Sequence, residues 1–310
     1  MIDRITIQAY QVGLVLENRM LIDVLTKGKY WILGNKEVLI FEMNQPFQSR
    51  FELNSLLKHE KLASMLEVVD VMDNELVIQI QNGIFKDVLT TGKYAFWIGV
   101  YEFQFVKIDL SKVEITEEIS MALLENFKLK PYTRKFQVLN FEKGLLFVNG
   151  TFVKELASGN YYFWNNAIPI EVKNVDIRQQ QMEIAGQELL TKDKATLRIN
   201  FFVRYQVIDA VKALVNNKEY DKQLYVLMQL ALRALVGSYT LDELLNKKDT
   251  ISKEILENML EKINALGLSV ADAGIRDVIL PGDMKEIMNQ VLVAEKKAQA
   301  NSIMRREETA

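Results

Sequence analysis

Asn149-Gly150-Thr151-Phe152-Val153-Lys154-Glu155-Leu156-Ala157-Ser158-Gly159-Asn160-Tyr161-Tyr162-Phe163-Trp164 reads as turn, strand, turn and aromatic strand. Positive φ is cheap for Asn-Gly, which suits the type I′ turn of a tight hairpin. Thr151 to Leu156 follows as a strand, and Gly159 marks a second turn. Related stretches occur twice upstream, from Asn82-Gly83 through Ile84–Leu89 to Trp97, and from Asn18-Arg19, a weaker turn, to Trp31. All three share Leu-x-x-Gly-x-Tyr, aligning Leu25, Leu89 and Leu156, then Gly28, Gly92 and Gly159, then Tyr30, Tyr94 and Tyr161. The glycines lie 64 and 67 residues apart. Such spacing fits one supersecondary unit repeated along the chain, and repeat arrays build surfaces and assemblies rather than one buried active site. Each unit is expected to be a small antiparallel meander.

Outward from the repeats, the first two add alternating runs, Val38–Met43 and Tyr101–Leu110, and then helical patterns, Ser55–Leu66 and Thr116–Phe127. Tyr30, Tyr94, Tyr161, Trp97 and Trp164 are expected in small cores, where aromatics dominate packing. Past Asp176 the pattern changes. Ala195 to Val207 alternates as a strand, Leu224 to Val236 is an apolar helix, and Thr240-Leu241-Asp242-Glu243 reads as a capping box. Ile251 to Leu266 is a helix stopping at Gly267, and Ser269 to Leu280 returns as a strand. Pro281-Gly282-Asp283 ends it, with Asp283 and Glu286 expected to cap a last helix that runs to Ala310 without a stop signal. The natural helix is expected to continue further.

The fold class is therefore α+β: tandem β-repeats at 1–70 and 71–140, a third repeat joined to an α/β part at 141–280, and the start of a long coiled-coil-like helix at 281–310. In that helix Ile287, Val291, Ala294 and Ala298 recur at spacings of four, three and four, the a/d rhythm of helix-on-helix association. Small alanines there permit close approach between helices. The bland alternative is an amphipathic helix folded back onto the body.

Composition narrows function. The 310 residues are 49% hydrophobic, enough for two or three cores. A net charge of −3 gives no global basic field, so nucleic acid is not an expected partner. Absent cysteine removes disulfides, thiolate metal ligands, thiol nucleophiles and palmitoyl anchors. Met1 to Thr6 alternates like a strand rather than a signal peptide, and the longest apolar stretch, near Ala95–Tyr101, is too short to span a bilayer. A cytoplasmic location is expected. His59 sits among charges as a surface residue, Gln179-Gln180-Gln181 reads as a strand end or interface rim, and Glu114, Glu117 and Glu118 read as a solvated helix start. No zinc, P-loop, dinucleotide or nucleophile-elbow motif occurs, so no catalytic residue, metal site or cofactor is expected.

Thr191-Lys192-Asp193 before the alternating Ala195–Val207, Ala231-Leu232-Arg233 with Val236-Gly237, and Thr240 to Leu245 resemble the SPFH, or band 7, superfamily of stomatins, prohibitins, flotillins and HflK/C. Gly274-Ile275-Arg276-Asp277-Val278-Ile279-Leu280-Pro281 before the alanine-rich Ala294–Ala300 helix extends the likeness, nearest to the slipin (stomatin-like) branch. It begins near Lys143, covers a little over half the chain, and makes the first two repeats relatives of that family's first β-subdomain. The resemblance implies family-motif residues Thr191, Lys192, Asp193, Arg233, Gly237, Asp277 and Pro281, and a non-enzymatic scaffold. That scaffold would assemble with itself into large rings or cages that organise membrane microdomains or enclose partners. A second implied reading is an adaptor peripheral to the inner face of the membrane, contacting a membrane surface or a membrane-protein client. Phe96, Trp97 and Tyr101 are its candidate lipid contacts. The family's N-terminal hydrophobic hairpin has no counterpart here. A β-repeat array leading into such a domain and a long helix is also similar to the layout of the major vault protein.

Overall fold

The computed structural model describes residues 2–308. Two compact units divide the chain: residues up to Lys135 with Tyr161–Ile168, and Phe136–Asn160 with the chain from Pro169 onward.

One pairing scheme recurs three times. First, β1 (Ile2–Ile7) pairs with β4 (Gly28–Leu33), while β3 (Met20–Leu25), β2 (Gln11–Glu17) and β5 (Lys36–Glu42) form a sheet in that order. Second, β6 (Leu66–Val71) pairs with β9 (Gly92–Trp97), beside a sheet of β8 (Ile84–Leu89), β7 (Glu75–Gln81) and β10 (Phe103–Asp109). Third, β11 (Thr133–Val138) pairs with β14 (Gly159–Trp164), beside β13 (Thr151–Leu156), β12 (Glu142–Val148) and β15 (Ile170–Asp176). Both central residues of each hairpin turn have positive φ: 49° and 68° at Asn18-Arg19, 52° and 76° at Asn82-Gly83, 52° and 75° at Asn149-Gly150. Those are type I′ values, reached even by the weaker first turn. Each hairpin also breaks register at the same place, between Val15 and Leu16, Gln79 and Ile80, and Leu146 and Phe147.

The meander expectation fails at its third strand. β4, β9 and β14 leave the hairpin and pair with the first strand of their own set. The side chains of β9 give the reason. Ala95 and Trp97 enter one core while Phe96 enters another, so the strand is apolar on both faces and lies between layers rather than extending a sheet. The expected helices also shrink. Ser55–Leu66 becomes two single turns, α1 (Leu53–Leu56) and α2 (Glu60–Ala63), before Leu66 starts β6; Thr116–Phe127 holds only α3 (Met121–Leu124). Their helical spacing reflects two anchors, Leu56 and Leu62, that plug a shared core. His59 precedes α2 half-buried, its Nδ1 enclosed and without a partner, rather than standing free in solvent.

Two kinds of core alternate. Ile7, Val15 and Leu25 fill the interior of the first repeat, and Val69, Val71, Val77, Leu89 and Phe96 that of the second. Between them, Val12, Leu14 and Val24 meet Leu56, Leu62, Leu66 and Trp97, with Phe47 edge-on to Trp97 at 5.2 Å. Trp164 repeats that role against Leu76, Ile78, Ile108, Leu124 and Leu129. Trp97 and Trp164 are fully buried, each with an indole N–H that has no acceptor. Trp31 does not share their position: it stands three residues after its glycine rather than five, and is 65% exposed, as is Leu33 at 62%.

In the second unit, β16 (Gln180–Leu190), β17 (Thr196–Val207) and β18 (Leu268–Ile279) form an antiparallel sheet in that order. Leu197, Ile199, Phe201, Val203, Tyr205 and Val207 alternate inward along β17 and meet α4 (Tyr220–Val236), α5 (Leu241–Asn246) and α6 (Lys248–Ala265). Ala210 leads not into a regular α-helix but into one π-helical turn, Lys212–Asn216. Gly267, at φ +77°, turns α6 into β18 where a β-carbon would stand 2.4 Å from the Asp209 carbonyl, so only glycine fits. α7 (Gly282–Glu308) closes the chain; Asp283 lies inside its first turn, not at the cap.

Candidate assembly site

Thr191, Lys192 and Asp193 form the turn between β16 and β17, with Lys194 at φ +66°. The buried Thr191 hydroxyl donates to the Asp193 carboxylate and accepts from the Ala195 amide at 2.9 Å. Asp193 also accepts from the Leu241 amide at 3.2 Å, and Lys192 N–H reaches the Tyr239 carbonyl at 2.8 Å. The turn thus grips the start of α5, whose capping box joins Thr240 and Glu243 as its sequence predicts. Hydrogen bonding holds two carboxyls below their usual range: Asp193 through the Thr191 hydroxyl and the Leu241 amide, Glu243 through the Thr240 amide and hydroxyl. Gly237 ends α4 close by, its amide on the Arg233 carbonyl. Asp277 and Pro281 lie apart from this cluster: Asp277 is exposed beside Arg276 on β18, and the Pro281 carbonyl accepts from Lys285 at the start of α7. The motif residues brought together are therefore a structural clasp, with no convergent set for chemistry.

Ile287 and Val291 are each 54% exposed, and Ala294 and Ala298 are exposed too. Among the described residues of the helix, Met284 and Met288 are half-buried against the core, directly beside the seam at its first turns, while the seam residues themselves stay exposed. The seam is not folded back onto its own chain. α4 carries a second uncovered strip that its largely apolar sequence obscured: Leu224, Met228 and Leu232 are buried, while Val226 and Leu230 line an open groove with Lys222 and Gln223. Their i, i+4 spacing opposite the buried stripe was the signal available in the sequence.

Gln180 and Gln181 begin β16. Gln180 accepts from the Tyr205 hydroxyl at 3.2 Å, and burial first, then neighbouring Tyr220 and Asp221, push that phenol up to about 12. On the solvent face of the sheet Arg276 meets Glu183 at 2.9 Å, Arg198 meets Glu188 at 2.8 Å, and the Phe202 ring lies over Gly274. Among the described residues no group of three His, Cys, Asp or Glu side chains is placed to hold a metal ion, and no helix is long and apolar enough to cross a membrane.

A three-stranded antiparallel sheet backed by helices, entered from a β-subdomain and left by an uncovered helix, makes this an α+β protein. The SPFH domain / Band 7 family matches residues 136–309, and the chain belongs to that family, in its stomatin-like branch. An uncharacterized protein of Methanocaldococcus jannaschii is 33% identical over 164 residues, 53% of this chain and 81% of that protein. A stomatin homolog of Pyrococcus horikoshii is 32% identical over 165 residues, 53% of this chain and 60% of its own length. Stomatin-1 of Caenorhabditis elegans is 26% identical over 166 residues, 54% and 50% of the two chains. The chain thus spans less than two thirds of the named stomatin relatives.

Proposed function

We propose that the chain is a non-enzymatic scaffold that assembles with itself, through its SPFH domain and α7, into a large ring- or cage-like particle. The observation that carries this reading is the bare seam of α7. An apolar a/d stripe left in water across Ile287, Val291, Ala294 and Ala298 gains its stabilisation only against other helices. Lateral contacts of a heterologous kind close into rings when the rotation permits. Ala294→Glu with Ala298→Glu, followed by sedimentation and negative-stain microscopy, tests it: large particles are expected to fall to small species, and unchanged particle size removes the seam from the assembly.

A second reading is a membrane-peripheral adaptor that organises a microdomain and recruits a partner protein. Phe96 and Trp97 are buried and supply no lipid contact, which corrects the expectation placed on them. The favouring observation lies instead on the first repeat. Trp31 and Leu33 are exposed side by side on β4, with the Arg4 guanidinium over the Trp31 ring at 5.7 Å, an aromatic and basic pairing suited to a lipid interface. Flotation with anionic vesicles, lost in Trp31→Ser with Leu33→Ser, supports this reading; absence of flotation by the unsubstituted chain defeats it.

A further inference from the structure

The junction of the first and second repeats follows that of the second and third at an offset of 67, and one backbone hydrogen bond recurs in both. Ile98 N–H bonds the Met65 carbonyl at 3.0 Å as Asn165 N–H bonds that of Tyr132 at 2.8 Å. Two side chains there differ in chemistry: Gly99 stands in place of Asn166, and Glu67 in place of Arg134, whose guanidinium donates to the Asn166 carboxamide. Asn166 turns its carboxamide back onto the preceding loop, donating to the carbonyls of Leu110 and Lys112 at 2.8 Å and accepting from Arg134 and the Ile168 amide. Its counterpart is Gly99, which has no side chain to fill that place. There the loop Met43–Pro46, counterpart of Leu110–Val113, walls a cleft of about 330 Å³.

The cleft is lined by Asn44, Gln45, Gln79, Gln81, Lys86 and Tyr101, and by Asp87, whose carboxylate pairs with Lys128 at 3.2 Å, over a floor of Phe96, Trp97 and Phe103. Among the described residues none of the first six polar heads has a hydrogen-bond partner within the chain. Gln79 is the telling one. It is only 6% exposed as a residue, its carboxamide atoms keep a little contact with solvent, and among the described residues no group of the chain pairs with them. The same strand position holds Val15 in the first repeat and Leu146 in the third, both buried apolar residues. A position that holds a buried apolar residue in the other two repeats therefore carries a polar head beside this cleft. The Trp97 indole N–H does not distinguish the two junctions, since Trp164 leaves the same donor unpaired in the other.

We propose that this cleft binds a carboxamide, the side chain of an asparagine or glutamine, as Asn166 serves from within the chain at the next junction. Donor and acceptor of such a group match the paired amide heads of Gln79 and Gln81 and the loop beside them. The proposal does not depend on assembly or on lipid binding.

Saturation-transfer NMR on the full chain, which suits weak ligands and large particles, tests it. The probes are N-acetyl-L-asparagine methylamide and free L-asparagine, with N-acetyl-L-leucine methylamide as control. A saturable signal is expected with a Kd on the order of 1 mM, as a ligand of this size allows. Gln79→Leu, which installs the residue of the third repeat, is expected to weaken binding at least tenfold while the chain melts no lower than before. Asn44→Ala with Gln45→Ala, on an exposed loop, gives the same loss without touching the core. Binding of the blocked probe alone assigns the site to a partner polypeptide; binding of free asparagine extends it to a small amide. No saturable signal from either amide, an equal signal from the leucine probe, or binding indifferent to both variants overturns the proposal.

Discussion

The ring of Tyr30 lies over Gly28, two residues before it on the same strand, so closely that a β-carbon at position 28 would stand 3.0 Å from the phenol oxygen. Tyr94 covers Gly92 in the same way, at 3.6 Å. The recurring Gly-x-Tyr is therefore one packed element in which the ring supplies the apolar cover that glycine lacks. Gly28→Ala is expected to cost about 1 kcal/mol by displacing the ring, against a gain of similar size where the ring is absent, because alanine loses less backbone freedom on folding. Denaturant midpoints of Gly28→Ala, Tyr30→Ala and the pair measure this. A sign change of the alanine effect in the Tyr30→Ala background is the expected result.

Trp97 separates packing from hydrogen bonding. Trp97→Ala is expected to cost about 3–5 kcal/mol, as for other large side chains removed from a core. Trp97→Phe costs much less, because no hydrogen bond is lost and an unpaired buried donor disappears. Thermal unfolding of the two variants orders them, and equal losses would show that the indole N–H is bonded in solution.

The Asp193 clasp has a pH signature. Its folded carboxyl titrates below the unfolded value of about 3.9, so its contribution is present above that pH and is lost as pH falls through the folded value. Asp193→Ala is expected to lower the denaturant midpoint at pH 7, and the gap to the unsubstituted chain should close as the acid side of pH 4 is reached. A gap constant down to pH 2 would show that the carboxylate is not the group that holds the turn.

Exposure of the α7 seam makes a different claim about Ile287 and Val291. Replacing both by Glu is expected to change the unfolding free energy of the isolated chain by no more than about 0.5 kcal/mol, the range of surface substitutions. Dilution to monomer followed by circular dichroism melts checks this; a large loss would place the seam against the body of its own chain.

Asn166→Ala removes two donors and an acceptor from the second junction and leaves the carbonyls of Leu110 and Lys112 without them. A loss of about 1–3 kcal/mol is expected. Gly99→Ala at the matching position is strained by its φ of +90° but breaks no such network, so its melt reports backbone strain alone.

The hairpins were legible because Asn-Gly and the alternating strands after it are local signals, and the Thr240 capping box likewise. The first strand was legible in the first repeat, where Met1 to Thr6 alternates, but not in the other two. Leu66 to Val71 pairs with residues about 26 positions later and carries apolar groups on both faces, so its spacing merged with the helical pattern before it. The clasp at Thr191 to Asp193 was visible as a motif, but its partner, the Leu241 amide, lies 48 residues away and carries no side-chain signature. Gln79 drew no reading from the sequence, because its meaning rests on the burial of its counterparts Val15 and Leu146, which only the fold shows.

The register break between Val15 and Leu16, Gln79 and Ile80, and Leu146 and Phe147 bears on descent. A hydrophobic pattern selects for burial and leaves the site of a bulge unspecified, so three unrelated hairpins would have no reason to place it at one position. Its recurrence points to copying of a single ancestral hairpin. The third hairpin lies within the stretch matched by the family, and the two before it repeat its turn and its register break.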